Sequence, residues 1–590
     1  MTSQPALPYE EPGIRTVLIQ SGLLLVLNFA NWFLDKLVYC GLIGQIFIGV
    51  TWGMPGAQWL THEAQEMMQQ LGYLGLLLLV YEGGLSTSFT ELKAHFTLSA
   101  IAAFTGVATP MGLSFILMPL VDATPLQAFG AGAALCSTSI GTTFTILSTT
   151  GLAKSRLGTV LSGAAMMDDV AGLVMVQTIS NLGNSSTESF SAVTIVRPVC
   201  AAIGCALGIL LVCSLAVAPA ARKLYATKIN LLPKAREIPA AFVLHMAILV
   251  GFVAGASYAG TSGLFAAYLA GACISWFDDL MMSIQKSIQH RRNTTSATSD
   301  ASLACLEMAR RASASNAKSQ PNTEGSSPSS MDSSASAMNQ DNTRIIPGQQ
   351  TFDLYCKQPL HYILCPFFFA SVGFAIPVTQ MFQGEVVWRG IVYTLLMALG
   401  KIVTGIWILP ITISPLAGLI RLRRAVALPI SWCMSRRKQD TERHLSSPNK
   451  KAKKAARPPR SPADTSTSQQ SSPNEVRSST LSERSTSLEK TRSLYPASIF
   501  GLAMIARGEI GYLIASVAET GGIFAVSGPG GDKGTDNETS QIYLVVVWAI
   551  TLCTTIGPIC VGTLVKRVKS LQAQRSQSGS PDPLGVWGVS

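Results

Sequence analysis

The chain has 590 residues, 48 % hydrophobic and 13 % charged, with a formal net charge of +11 at pH 7. Its apolar residues fall in long blocks rather than amphipathic stripes, which excludes a soluble globular enzyme and defines a polytopic membrane protein. The basic excess collects in loops of one inferred membrane side, a positive-inside pattern and not a nucleic-acid surface. The twelve cysteines lie mostly inside apolar runs without metal spacing and read as small buried hydrophobes.

Blocks of about 18 to 27 apolar residues occur near 14–34, 37–54, 71–88, 97–121, 126–150, 157–181, 195–219, 238–257, 260–280, 359–379, 386–414, 496–521 and 541–565. This predicts an all-α protein of about 13 transmembrane helices. The first run follows Glu10 and Glu11 instead of a basic region, so it reads as a retained span and not a cleaved signal. Loops after even-numbered spans carry Glu63, Glu66, Asp122 and Glu188. Those after odd-numbered spans carry Lys154, Arg156, Arg222, Lys223, Lys228, Lys234 and Arg236, and the tail carries Lys566, Arg567 and Lys569. The N-terminus is therefore expected outside or in a lumen, and the C-terminus in the cytosol, in the plasma membrane or an endomembrane. The sequons at Asn184 and Asn537 fall outside on this scheme and the one at Asn293 inside.

The domain organisation follows: spans one to nine over 1–281, containing the first half of a core at 97–181; a polar loop at 282–350; spans ten and eleven over 351–416; a basic, Ser/Pro-rich loop at 417–494; spans twelve and thirteen over 495–566; and a cytosolic tail at 567–590. Neither loop has the apolar content to bury a core, and both are expected to be disordered. The run KKAKKAARPPR (Lys450 to Arg460) reads as a solvated linker or as an attachment to anionic lipid.

Four spans carry the chemistry. The sixth, Leu157 to Ser180, holds Asp168 and Asp169 at its centre and no other ionisable group. An aspartate at mid-membrane costs about 3 kcal/mol on insertion scales, so the pair points to an ion or proton site. A structural ion pair between helices is the plainer alternative. The fifth span is interrupted by CSTSIGTT, with Ser137, Thr138, Ser139 and Thr142, and the twelfth by Arg507-Gly508-Glu509. Interrupted helices in corresponding halves mark transporter sites, because unwound backbone offers carbonyls and helix ends to an ion. Spans four to six and eleven to thirteen therefore form an expected inverted repeat. Hydroxyl residues also serve ordinary packing between helices, and Arg507 and Glu509 could simply bridge each other. On the eleventh span Lys401 lies too deep to snorkel and needs an acid partner, for which Asp168 or Asp169 is the natural choice. Glu82 reads equally as an interfacial acid or a funnel residue, His245 as packing, and Ser527 to Asp536 as a turn.

Together, LLLLVYEGGLSTSFTEL (Leu76 to Leu92), CSTSIGTT, MMDDV, PFFFASVGFAIP (Pro366 to Pro377), Lys401 and IARGEIGYLIASVAETGG resemble the sodium/hydrogen exchanger family of monovalent cation:proton antiporters. The similarity is to the paired-aspartate branch, which includes bacterial sodium/proton and Kef-type potassium/proton systems. It covers most of the chain from about Leu37 to Val565 except the polar loops, whose serine-rich length points to a eukaryotic, fungal member. The resemblance implies a core domain with two crossed discontinuous helices, a dimerisation domain and a homodimer in the lipid bilayer. It also implies that Asp169 binds the transported ion, that Asp168 pairs with Lys401, and that Thr138, Ser139 and Glu509 lie in the crossed helices. The expected activity is antiport of Na+, with Li+ or K+ as alternatives, against protons, with net charge movement, no enzymatic step and no cofactor. The remoter alternatives are a Kef-type potassium efflux system, a channel or sensor, and an intramembrane aspartyl protease. The last lacks its Gly-x-Gly-Asp sequence and has both acids on one helix.

Overall fold

A chain made of apolar runs separated by glycine, proline and polar connectors satisfies its backbone within helices, since lipid offers no hydrogen-bond partner. The computed structural model describes residues 11–139, 141–143, 147, 151–152, 155–183, 192–226, 238–287, 347–409, 494–525, 539–578, 583–584 and 587–588, and among these every regular element is helical. The two long polar segments, apart from their helical edges, lie outside the described residues. So do the asparagines of the three sequons, the Lys450–Arg460 run and Ser527–Asp536.

Eight helices among the described residues are long and apolar enough to cross a membrane: Ile14–Val38, His95–Val121, Arg156–Gly183, Val196–Lys223, Pro239–Ala259, Gly263–Ser287, Gly384–Ile408 and Gln541–Gln574. The other expected spans take different forms. We number the elements in chain order as α1 (Ile14–Val38), α2 (Leu42–Trp52), α3 (His62–Leu85), α4 (Phe89–Leu113, continued by tighter turns to Val121) and α5 (Pro125–Ala134). After these come α6 (Arg156–Gly183), α7 (Ala192–Val212, with a π turn and a further helix to Ala226), α8 (Ile238–Ala259) and α9 (Gly263–Ser287). The series closes with α10 (Gly348–Tyr355), α11 (Cys365–Phe374), α12 (Gly384–Ile402, tightening to Ile408), α13 (Tyr495–Ala503), α14 (Glu509–Thr520) and α15 (Gln541–Ser578).

Several boundaries differ from the apolar runs, for local reasons. Helix α3 begins nine residues early because the Thr61 side chain accepts from the Ala64 N–H and caps a polar first turn. Helix α9 continues to Ser287, into the expected loop. Helix α15 continues to Ser578, through the basic tail. Helix α5 opens on a capping box, Thr124 with Gln127, and Pro125 in its first turn.

Two three-element groups carry the site: α4, α5 and α6, then α12, the α13/α14 pair and α15. Within each, the outer helices pack together. Ser99 of α4 donates to the Val160 carbonyl of α6 at 3.2 Å, and Gly390 of α12 lets the backbone approach Trp548 of α15, whose Cβ would stand 2.7 Å from any added methyl. Helices α3 and α9 are in backbone contact: a Cβ on Gly84 would lie 2.3 Å from the Tyr268 carbonyl oxygen, and one on Gly271 2.3 Å from that of Tyr81.

Candidate ion-binding site

Helix α5 stops at Ala134, where the following hydroxyl residues compete for backbone hydrogen bonds, and α13 stops at Ala503, before Arg507 and Gly508. The two freed strands of backbone cross. The Ser139 N–H donates to the Ala506 carbonyl at 3.0 Å and the Thr138 hydroxyl lies 3.2 Å from the Met504 carbonyl. Gly508 is required at the crossing, since a Cβ there would sit 2.7 Å from that of Ser139. Arg507 is fully buried and donates through Nη1 to the carbonyls of Ser137 (2.8 Å) and Cys136 (3.5 Å), while the Thr554 hydroxyl donates to the Arg507 carbonyl at 3.0 Å. Arg507 thus neutralises the carbonyl end of the first break and makes no ion pair with Glu509, which overturns the bridge considered between them. Ser139 and Thr142 form a local turn, with the Thr142 N–H donating to the Ser139 hydroxyl at 3.4 Å. All the hydroxyl residues expected to line the break, Ser137, Thr138, Ser139 and Thr142, are buried there.

Beside this crossing stand the two aspartates of α6. Asp168 and Lys401 are both fully buried and form an ion pair through Oδ2. The lysine ammonium spends its other two protons on the Cys136 carbonyl (2.6 Å) and Thr138 Oγ1 (2.9 Å), and Thr138 in turn donates to Asp168 Oδ2 at 2.5 Å. The ammonium is fully satisfied. Asp168 is therefore sealed, with only Oδ1 lacking a hydrogen-bond partner among the described residues.

Asp169 is different. One position further along the helix it points about 100° away and keeps partial exposure. Its carboxylate makes no hydrogen bond or ion pair among the described residues, and the charges that bear on it are Glu509, Asp168 and Lys401. Glu509 is buried in the first turn of α14. Among the described residues neither Asp169 nor Glu509 has an ion-pair partner, whereas Asp168 has one. An arrangement of this kind can hold one small cation or one proton, and mid-membrane burial makes leaving it bare costly.

A cavity of about 890 Å³ approaches from one end of the bundle, lined by His62, Gln65, Glu66 and Gln69 of α3, Phe368 and Ser371 of α11, and Leu513 and Ser516 of α14. Leu513 and Ser516 follow Glu509 by four and seven residues, so the lining of the cavity continues along one face of α14 to Glu509.

Other residues sort out as follows. Glu82 pairs with His361 at 3.3 Å beside a π turn at Leu360–Leu364. His245 packs beside Gly348. A second aspartate pair, Asp278 and Asp279, escaped the sequence reading although it stands out in the string FDDL. Asp278 accepts the Gly348 N–H at 2.5 Å and so holds the start of α10 against α9.

The fold and site together define a polytopic helical membrane protein with crossed half-helices and a buried carboxylate pair. Residues 24–297 match the family model described as sodium/hydrogen exchanger, transmembrane. The chain is covered to just under half by that match. It is 34 % identical over 143 residues to the high-affinity Na+/H+ antiporter NhaS3 of Synechocystis sp., covering 24 % of this chain and 31 % of that protein. It is 27 % identical over 135 residues to the Na+/H+-K+ antiporter GerN of Bacillus cereus, covering 23 % and 34 %. The chain thus matches about a third of the length of these relatives. In fold it is similar to the sodium proton antiporter MjNhaP1 from Methanocaldococcus jannaschii, with a TM-score of 0.52, 12 % identity and coverage of 94 % of this chain and 99 % of that one.

Proposed function

We propose that this protein is a secondary active antiporter, exchanging a monovalent cation for protons at Asp169 by alternating access. The observation that carries the reading is the asymmetry of the aspartate pair: Asp168 is neutralised by buried Lys401, whereas Asp169, which feels the charge of Glu509, has no hydrogen-bond or ion-pair partner among the described residues. Proton and cation then compete for one carboxylate. Exchange follows if the core group moves only when that carboxylate is loaded, because a bare charge is expensive to carry through the barrier. The crossed half-helices, with the Thr138 and Ser139 hydroxyls, offer oxygen atoms of the kind a desolvated alkali cation needs.

Sodium is the cargo this reading favours, and the similarity to GerN, a Na+/H+-K+ antiporter, motivates potassium as a second candidate. If Lys401 releases its proton when the cation binds, two protons cross per cation and the cycle moves net charge. The protein works in this reading as a homodimer, with its N-terminus outside and its C-terminus cytosolic.

The test is cation-triggered proton flux in proteoliposomes, with Na+, Li+ and K+ added in turn. The wild type should alkalinise or acidify the lumen according to the cation gradient, and Asp169→Asn should not. A wild type that carries cations without moving protons would remove antiport from consideration.

A further inference from the structure

Ten of the twelve cysteines lie among the described residues, all as free thiols. Two of them meet. Cys213 Sγ of α7 lies 3.3 Å from Cys273 Sγ of α9, 60 positions further along the chain. Among the described residues no other two thiols are in hydrogen-bonding contact. The pair stands apart from the ion-binding site, since neither helix carries Asp168, Asp169, Lys401 or Glu509.

One partner of the pair is fixed and the other can yield. Cys273 follows Gly271 by two residues, and a Cβ on Gly271 would stand 2.3 Å from the Tyr81 carbonyl oxygen, so α9 is pressed against α3 at this level. Cys213 opens the π turn Cys213–Val217, and Pro198 interrupts the same helix earlier. Both features loosen the regular backbone ladder, and π turns inside α-helices recur at functional positions. To bond, the sulfurs must close from 3.3 Å to the disulfide length of about 2.05 Å, and a small shift of α7 is the least costly way to cover the difference. Cys213 is 7 % exposed and Cys273 half-buried, so an oxidant meets Cys273 first. Both lie inside apolar spans, Val196–Lys223 and Gly263–Ser287, so that oxidant arrives through lipid.

We propose that Cys213 and Cys273 form a reversible disulfide, made by an organic hydroperoxide dissolved in the bilayer, and that this bond slows transport. In the first step the Cys273 sulfur attacks the terminal peroxide oxygen. The O–O bond breaks, the thiol proton passes to the departing alkoxide, and a sulfenic acid and an alcohol result. In the second step the Cys213 sulfur attacks the sulfenic sulfur, and its proton leaves with the hydroxide as water. The two thiols lose two electrons, the hydroperoxide gains them, and a dithiol reductant reverses the bond by exchange. A second thiol 3.3 Å away captures the sulfenic acid before it is oxidised further. The bond ties α7, which packs on α6, to the joined α9 and α3. The slowing rests on the antiport reading, in which α6 moves; the thiol chemistry does not.

The test treats proteoliposomes of the full chain with cumene hydroperoxide, alkylates the remaining thiols and maps the peptides by mass spectrometry. A peptide pair linked through Cys213 and Cys273 should appear in most of the protein, and dithiothreitol should remove it. Absence of that link, or a link through another cysteine in its place, overturns the proposal. Oxidised wild type should exchange about tenfold more slowly than reduced and recover in dithiothreitol, whereas Cys273→Ala, treated alike, should keep its rate. Linked wild type at the full rate overturns the proposal, as does an equal loss in oxidised Cys273→Ala. A measurement without transport accompanies these. The thermal unfolding midpoint of the solubilised protein should rise on oxidation in wild type and stay fixed in Cys273→Ala. An unchanged midpoint in linked wild type overturns the tie between α7 and α9. If the link forms and the midpoint rises while reduced wild type drives no proton flux, the antiport reading fails and the disulfide site stands.

Discussion

Two neighbouring carboxylates about 100° apart on a helix meet different surroundings, and at this site the difference is complete: one is locked to an ammonium, the other left to face Glu509. Removing one partner of the buried pair strands the other charge, so Lys401→Met or Asp168→Asn alone should lower stability by about 3–5 kcal/mol. The double variant should regain most of that loss in thermal unfolding of the solubilised protein. Additive losses would mean that the two groups do not depend on each other. The sequence already displayed Asp168, Asp169 and Lys401, because ionisable groups inside apolar runs are conspicuous. It could not say which aspartate was sealed: helix rotation decides that, and the assignment came from resemblance alone.

At the scale of elements, the crossing of the two interrupted helices depends on backbone contact that only glycine permits. Gly508→Val should clash with Ser139, cost about 1–3 kcal/mol in unfolding and reduce exchange, because Thr138 and Arg507 would be displaced with it. Near-wild-type stability and flux in that variant would show that the crossing tolerates separation. The breaks themselves were legible, since hydroxyls and an Arg-Gly-Glu triplet interrupt otherwise apolar runs. Helix ends were less so. The polar opening turns of α3 carry no apolar signal, and the basic end of α15 is a good helix former that hydropathy reads as tail. The Arg507–Glu509 bridge considered from sequence fails because half-helix termini, not side-chain proximity along the chain, govern where a buried guanidinium finds acceptors.

For the molecule as a whole, the arrangement is one of paired three-element groups around the Asp168–Asp169 pair, with a cavity entering from one end. If Lys401 takes part in proton release, one net charge crosses per cycle, and a clamped membrane potential should shift the balance point of exchange by about 2.3 kcal/mol per 100 mV. Flux that ignores the potential would instead establish one-for-one exchange, with Lys401 remaining an ion-pair partner. The most direct test of the central claim, that cation and proton share Asp169, is calorimetric Na+ binding to the purified protein across a pH series. Protonation of Asp169 removes the ligand, so affinity should weaken as pH falls, approaching tenfold per pH unit on the acid side, and binding should vanish in Asp169→Asn. Affinity that is independent of pH, or undiminished binding in Asp169→Asn, would contradict the account.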